Sequence, residues 1–94
     1  MGTKNKPGQF DCYANAEPDE PMFVLLARDR LAPFLTSIWS KIRAGDFEAA
    51  SVVFDKMVRE VGPRYAIEPD MDKSGEAIEC ALAMFAWRKT NRPE

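Results

Sequence analysis

The sequence predicts a small all-α domain. Apolar residues recur at spacings of three and four over residues 31–44, 47–61 and 74–89, which places them along one side of a helix. Gly45, Asp46 and the Gly62-Pro63 pair separate these segments with residues typical of helix ends and starts. No second β-rich run offers a partner for a strand. We therefore expect a single-domain bundle of three main helices with a short additional helix near the N-terminus.

The N-terminal third holds the least regular part of the predicted fold. We expect residues 1–9 to form a flexible arm and residues 10–90 to form the helical domain, with a frayed tail over 91–94. The residues from Phe10 to Ala16 are predicted to add one helical turn. The prolines at 18 and 21 then favour a short helix over Pro21–Arg28, with Asp19 as its cap. A short strand over 22–27 is the alternative, because a short apolar run fits either structure.

The three main helices follow from their boundary residues. The first is predicted from Leu31 to Ala44, with Asp29 as its cap. The second follows from Phe47 to Val61, with Asp46 as its cap. A loop over 64–72 folds Tyr65, Ile67 and Pro69 back over the core, and the last helix runs from Asp72 or Ser74 to about Lys89. That helix is apolar nearly all round, which is typical of a central helix or one shared with a partner.

Helical spacing predicts one modest core, as expected for 94 residues. The side chains assigned to it are Phe23, Leu26, Leu35, Ile38, Trp39, Phe54, Met57, Leu82 and Phe85.

Composition excludes several classes of function. The chain has no histidine, so it lacks the usual base of nucleophilic triads and the commonest ligand of zinc and haem. The net charge of −2 gives no general attraction to nucleic acid or anionic membranes. Cys12 and Cys80 are the only cysteines and, with no secretory signal, predict reduced thiols in a cytoplasmic protein. We expect no catalytic residues, no metal and no cofactor.

Two sequence motifs resemble known ligand-binding motifs, but each lacks residues that its ligand requires. Residues 70–75 resemble the start of a calcium-binding EF-hand loop, but its twelfth position is Ala81 instead of a bidentate glutamate. The helices on either side of Gly45 resemble a helix-turn-helix, but the second one starts with Asp46, Phe47 and Glu48, which do not suit a phosphate-lined groove. We therefore expect neither calcium nor direct DNA binding.

Five residues remain as candidates for binding. Arg28 and Arg30 flank Asp29, and together with Arg43 they could grip an anion, although a solvated helix junction explains them as well. Trp87 is a candidate interface anchor with Arg88 beside it, and it is more favourably placed for exposure than Trp39.

The window from Phe10 to Pro33 resembles a group of small proteins encoded by phages and prophages. The shared features are Asp-Cys, Pro-Asp-Glu-Pro, an apolar stretch ending in Arg-Asp, and Ala-Pro before a helix that contains tryptophan. The resemblance covers about residues 10–43 and implies an accessory gene and a bacterial cytosol, with no site residues. In this chain Arg30 replaces the proline that usually follows Arg-Asp.

These observations favour a non-enzymatic protein that binds and inhibits a host protein, with a bacterial defence system as the sharpest version. The partners expected are a host protein or complex and, through the last helix, a second copy of the chain. A sponge for an anionic signalling nucleotide and a minor enzyme of unknown class are the alternatives.

Overall fold

The structure, a computed structural model, describes residues 2–62 and 67–93 and is helical. The helices are α1 (Cys12–Asn15), α2 (Ala32–Arg43), α3 (Phe47–Val61) and α4 (Met71–Asn91). The described ranges contain no strand, which confirms the all-α class. The chain divides into one unit formed by Met1–Phe23 with Asp72–Glu94, and a second formed by Val24–Met71. No helix within the described residues is both long enough and apolar enough to cross a membrane.

The second unit is a hairpin of α2 and α3, turned by Gly45 and Asp46. The N–H of Gly45 donates to the carbonyl of Ile42 at 2.9 Å, and that of Asp46 donates to the carbonyl of Lys41 at 2.9 Å. This pair of bonds closes the end of α2 and requires a residue with positive φ, which Gly45 supplies at 79°. The Asp46 carboxylate then accepts from the N–H of Ala49 at 3.0 Å and caps α3, as predicted.

The start of α2 differs from the prediction in one detail. Leu31, and not Asp29, is the cap residue, and no side chain caps the helix. Asp29 lies two residues earlier, where its carboxylate accepts from the N–H of Leu31 at 2.9 Å in a local turn. Pro33, in the first turn of α2, needs no N–H partner there, so the helix starts without a side-chain cap.

Small residues bring the two helices of the hairpin together. Ala32 on α2 and Ala50 on α3 are the buried apolar residues of the described chain. Ile38, Val53 and Met57 are half-buried beside them. A connection of only three residues makes α2 and α3 antiparallel neighbours.

The first unit combines α4 with the N-terminal segment. Asp11 caps α1 by accepting from the N–H of Ala14 at 3.3 Å, which fits the predicted helical turn there. The Cys80 thiol on α4 donates to the carbonyl of Met22 at 3.3 Å. Cys12 is exposed, Cys80 is half-buried, and the two are not bonded to each other in the structure.

The short helix expected over Pro21–Arg28 is absent, and so is the alternative strand over 22–27. The acids that were to start this helix form a turn instead, because the Glu20 carboxylate accepts from the N–H of Glu17 at 3.0 Å. The Met22 carbonyl bonds to Cys80, which ties the segment to α4. Phe23 and Val24 have low helix propensity, so this tertiary contact outweighs the start signals.

The predicted core is also wrong. Of its nine side chains, Ile38 and Met57 are half-buried and the others are exposed, among them Leu82 at 62% and Phe85 at 73%. A two-helix hairpin has one line of contact, so each helix covers only one side of its apolar arc. In the 64–72 loop, Ile67 is exposed, and Tyr65 lies outside the described residues.

Candidate functional site

An exposed apolar layer covers one side of the α2–α3 hairpin. We call it the hairpin face, and it consists of Leu35, Trp39 and Ile42 on α2 and Phe47, Phe54 and Val58 on α3. Each of these side chains is at least 36% exposed. Their spacings of three, four and seven place each set along a single line on its helix.

The register of the two helices puts both lines on the same side of the hairpin. On α2, Leu35 and Trp39 each follow a half-buried residue by one position. On α3, Phe54 and Val58 do the same. One position is a rotation of about 100°, and equal rotations on antiparallel helices lead to the same side. The hairpin face is therefore one continuous two-helix surface.

Trp39 and Arg43 form the most distinctive contact on the hairpin face. The Arg43 guanidinium lies over the Trp39 ring, 5.6 Å from its centroid. This stacking holds both side chains in one arrangement while Trp39 stays 58% exposed. Tryptophan and arginine are the residue types most enriched among the side chains that dominate binding energies.

Arg28 and Arg30 lie in the turn that precedes α2, and both are exposed. Arg43 is the last residue of the same helix. At a rise of 1.5 Å per residue, the 13 positions from Arg30 to Arg43 correspond to about 20 Å. The three arginines therefore frame the two ends of α2, and no single anion pocket gathers all of them.

Trp87 and Arg88 come together at the end of α4, in an open groove of about 570 Å³. Its walls combine apolar and charged side chains from α4 and the N-terminal segment: Glu20, Pro21, Met84, Trp87, Arg88, Arg92 and Pro93. The Arg92 guanidinium lies 5.7 Å from the centroid of the Trp87 ring.

The exposure expected of the two tryptophans is reversed in the structure. Trp87 is half-buried, and its indole Nε1 is fully buried without a hydrogen-bond acceptor among the described residues. Trp39 is the exposed one. Pro21 lines the same groove as Met84 and Trp87, because the N-terminal segment reaches α4 without forming the predicted helix over Pro21–Arg28.

A second exposed apolar line runs along α4. We call it the α4 seam, and it consists of Met71, Ile78, Leu82 and Phe85, which are 76%, 60%, 62% and 73% exposed. The opposite line of α4, which includes Cys80, Met84 and Trp87, is half-buried. Within its own unit, the described residues therefore leave the seam uncovered.

The total accessible surface is large for the mass of the protein. The chain exposes 8426 Å², whereas a folded monomer of 10.6 kDa exposes about 5,500 Å². Even if each unit is counted as a separate folded body of half the mass, the expected total is only about 6,600 Å². The surplus of at least about 1,800 Å² is more than one standard interface of about 800 Å² per partner covers.

The acidic residues give no sign of a metal centre. Asp72 and Gly75, which belong to the calcium-like motif, lie within the first turns of α4 and not in a loop. The described residues contain no group of three metal-ligating side chains. We find no family model, curated protein or solved structure that matches this chain.

The sequence indicated Trp39 and Arg43 as candidate residues and predicted the apolar lines along the helices, but these lines were assigned to a core. The signal that pointed to surfaces was the width of the apolar arcs. On α4 the apolar residues cover almost the whole circumference, more than one neighbouring element can bury.

Proposed function

We propose that this chain is a non-enzymatic interaction protein that binds and inhibits a host protein in the bacterial cytosol. The observation that carries the proposal is the hairpin face, with Arg43 stacked on its Trp39. An exposed apolar layer of this extent is typical of a protein-binding surface. The phage-like window before α2 supports an accessory gene, and a bacterial defence complex is the sharpest candidate target.

Charge defines the kind of surface that fits the hairpin face. Arg28 and Arg30 lie at one end of α2 and Arg43 lies at the other, so basic groups border the apolar layer at both ends. A complementary partner presents an apolar patch bordered by carboxylates, because opposite charges at the rim speed association and exclude wrong partners.

The nucleotide-sponge alternative draws no support from a specific contact. It needs a pocket that converges on a phosphate, and the three arginines lie at the two ends of a helix about 18 Å long. The enzyme alternative names no acid, base or nucleophile in this chain. The interaction role is therefore the one that we carry forward.

Trp39→Ala tests the proposal in a host binding assay. Tagged chain is incubated with host lysate, the retained protein is identified, and its affinity is measured with purified components. We expect Trp39→Ala to weaken binding about tenfold or more, because a truncated hot-spot tryptophan loses its packing and its stacked arginine.

Val52→Ala is the matched control. Val52 is 61% exposed on α3 but lies away from the hairpin face, so its truncation should leave the affinity unchanged. Equal affinities of wild type and Trp39→Ala would contradict the assignment of the hairpin face. Failure of the wild-type chain to retain any host protein would contradict the proposed function itself.

A further inference from the structure

The α4 seam has the sequence pattern of a short coiled coil. Met71, Ile78 and Phe85 repeat every seven residues, and a second set at Gly75, Leu82 and Lys89 repeats four residues behind them. Two sets offset in this way form the contact line of a helix that packs on another helix. The exposed seam residues belong to these sets, so the pattern and the exposure identify the same side of α4.

Gly75 is the residue of this pattern that the single chain does not explain. Glycine within a helix costs about 0.5–1 kcal/mol relative to alanine. A methyl group added at Gly75 would meet no atom within 4 Å, so no neighbour in the chain requires its small size. The glycine therefore leaves an empty notch beside the seam, on the same helix that exposes Phe85 at 73%.

We propose that the α4 seam binds the α4 seam of a second copy in antiparallel orientation, so that the protein is a homodimer. With Leu82 of one copy opposite the partner's Ile78, the same register puts Phe85 opposite the partner's Gly75. The large side chain then fills the notch, and the two-fold axis repeats this contact at the other end. Lys89 lies over the partner's Met71, with its methylenes on the apolar surface and its ammonium in water.

The parallel arrangement is disfavoured by the same residues. It would place Gly75 opposite the partner's Gly75, which leaves a gap, and Phe85 opposite the partner's Phe85, which crowds the seam. It would also bring Lys89 against the partner's Lys89, a repulsive pair at a contact position. Only the antiparallel register pairs each large residue with a small or aliphatic one.

The exposed area also leaves room for a partner of this size. A surplus of at least about 1,800 Å² exceeds one standard interface, so the dimer and the proposed host protein each have a surface to cover. Among the described residues only Ala32 and Ala50 are buried apolar side chains, so covering the α4 seam with a second copy would add to the buried apolar area.

The test exchanges the large side chain at Phe85 and the notch at Gly75. It measures the mass of the full chain by sedimentation velocity at about 100 μM. We expect wild type to sediment as a dimer of 10.6 kDa chains. Gly75→Leu should sediment as a monomer, because the leucine fills the notch that receives the partner's Phe85. Leucine has a higher helix propensity than glycine, so α4 should stay folded. Phe85→Ala should also weaken the dimer. The double variant Gly75→Leu/Phe85→Ala should regain it, since the leucine at position 75 then packs against the partner's alanine at position 85.

Ala83→Leu is the control, because it adds a leucine to an exposed position of α4 away from the seam and should leave the dimer intact. Circular dichroism of each variant confirms that α4 is folded. A monomeric wild type, a Gly75→Leu variant that stays dimeric, or a double variant that stays monomeric would overturn the proposal. A wild type that is monomeric alone but binds a host protein through the seam would show that the seam has a different occupant. Host binding by Gly75→Leu through an unchanged hairpin face would leave the proposed function standing if the dimer fails.

Discussion

At the residue scale, Gly45 and Asp46 illustrate how two adjacent side chains turn the chain between helices. Gly45 adopts a φ of 79° and closes α2, and Asp46 caps α3 with its carboxylate. Both roles could be predicted from the sequence because each depends on local geometry alone. The stacking of Arg43 on Trp39 could not, since a spacing of four fits a packed core equally well.

Gly45→Ala tests the turn directly. A Cβ at this position meets no atom within 4 Å, so the cost of the substitution is purely that of the backbone conformation. We expect a loss of about 1 kcal/mol in the free energy of unfolding, measured from urea titrations. Gly45→Asn should cost less, because asparagine adopts positive φ more readily. Equal stability of wild type and Gly45→Ala would show that the turn does not hold this conformation.

At the element scale, helices α2, α3 and α4 were predicted to within about two residues, because their apolar periodicity and end signals agree. The segment over Pro21–Arg28 was not, because its start signals conflict with the low helix propensity of Phe23 and Val24. The structure instead connects this segment to α4 through a hydrogen bond from the Cys80 thiol to the Met22 carbonyl, a contact that no local pattern predicts.

A pair of proline substitutions distinguishes the extended segment from a helix. Val24 is 70% exposed in the non-helical segment, and Val52 is 61% exposed within α3. We expect Val24→Pro to cost less than about 1 kcal/mol and Val52→Pro to cost about 3 kcal/mol, because proline removes a helical hydrogen bond and clashes with the preceding turn. Thermal denaturation followed by circular dichroism measures both. A loss of stability in Val24→Pro as large as that in Val52→Pro would indicate a helix over Pro21–Arg28.

At the scale of the whole molecule, the predicted fold class is confirmed, but most of the apolar residues that were predicted to be buried are exposed. Periodicity reports that a side of a helix is apolar, but it does not report whether the neighbour that covers it belongs to the same chain. Trp39, Phe54, Leu82 and Phe85 were assigned to a core on that basis, and each is at least half exposed. Association is therefore expected to stabilise the folded chain, with the α4 seam bound to a second copy and the hairpin face available to a host protein.

The dependence of the melting temperature on protein concentration tests this account most directly. Calorimetry of the wild-type chain from about 1 to about 100 μM should show the melting temperature rising by several degrees, because mass action stabilises a folded state that binds a second copy. The rise should be absent in Gly75→Leu. A wild-type chain that unfolds at one temperature over the whole range would contradict the account, since it would show that no second copy binds the folded chain.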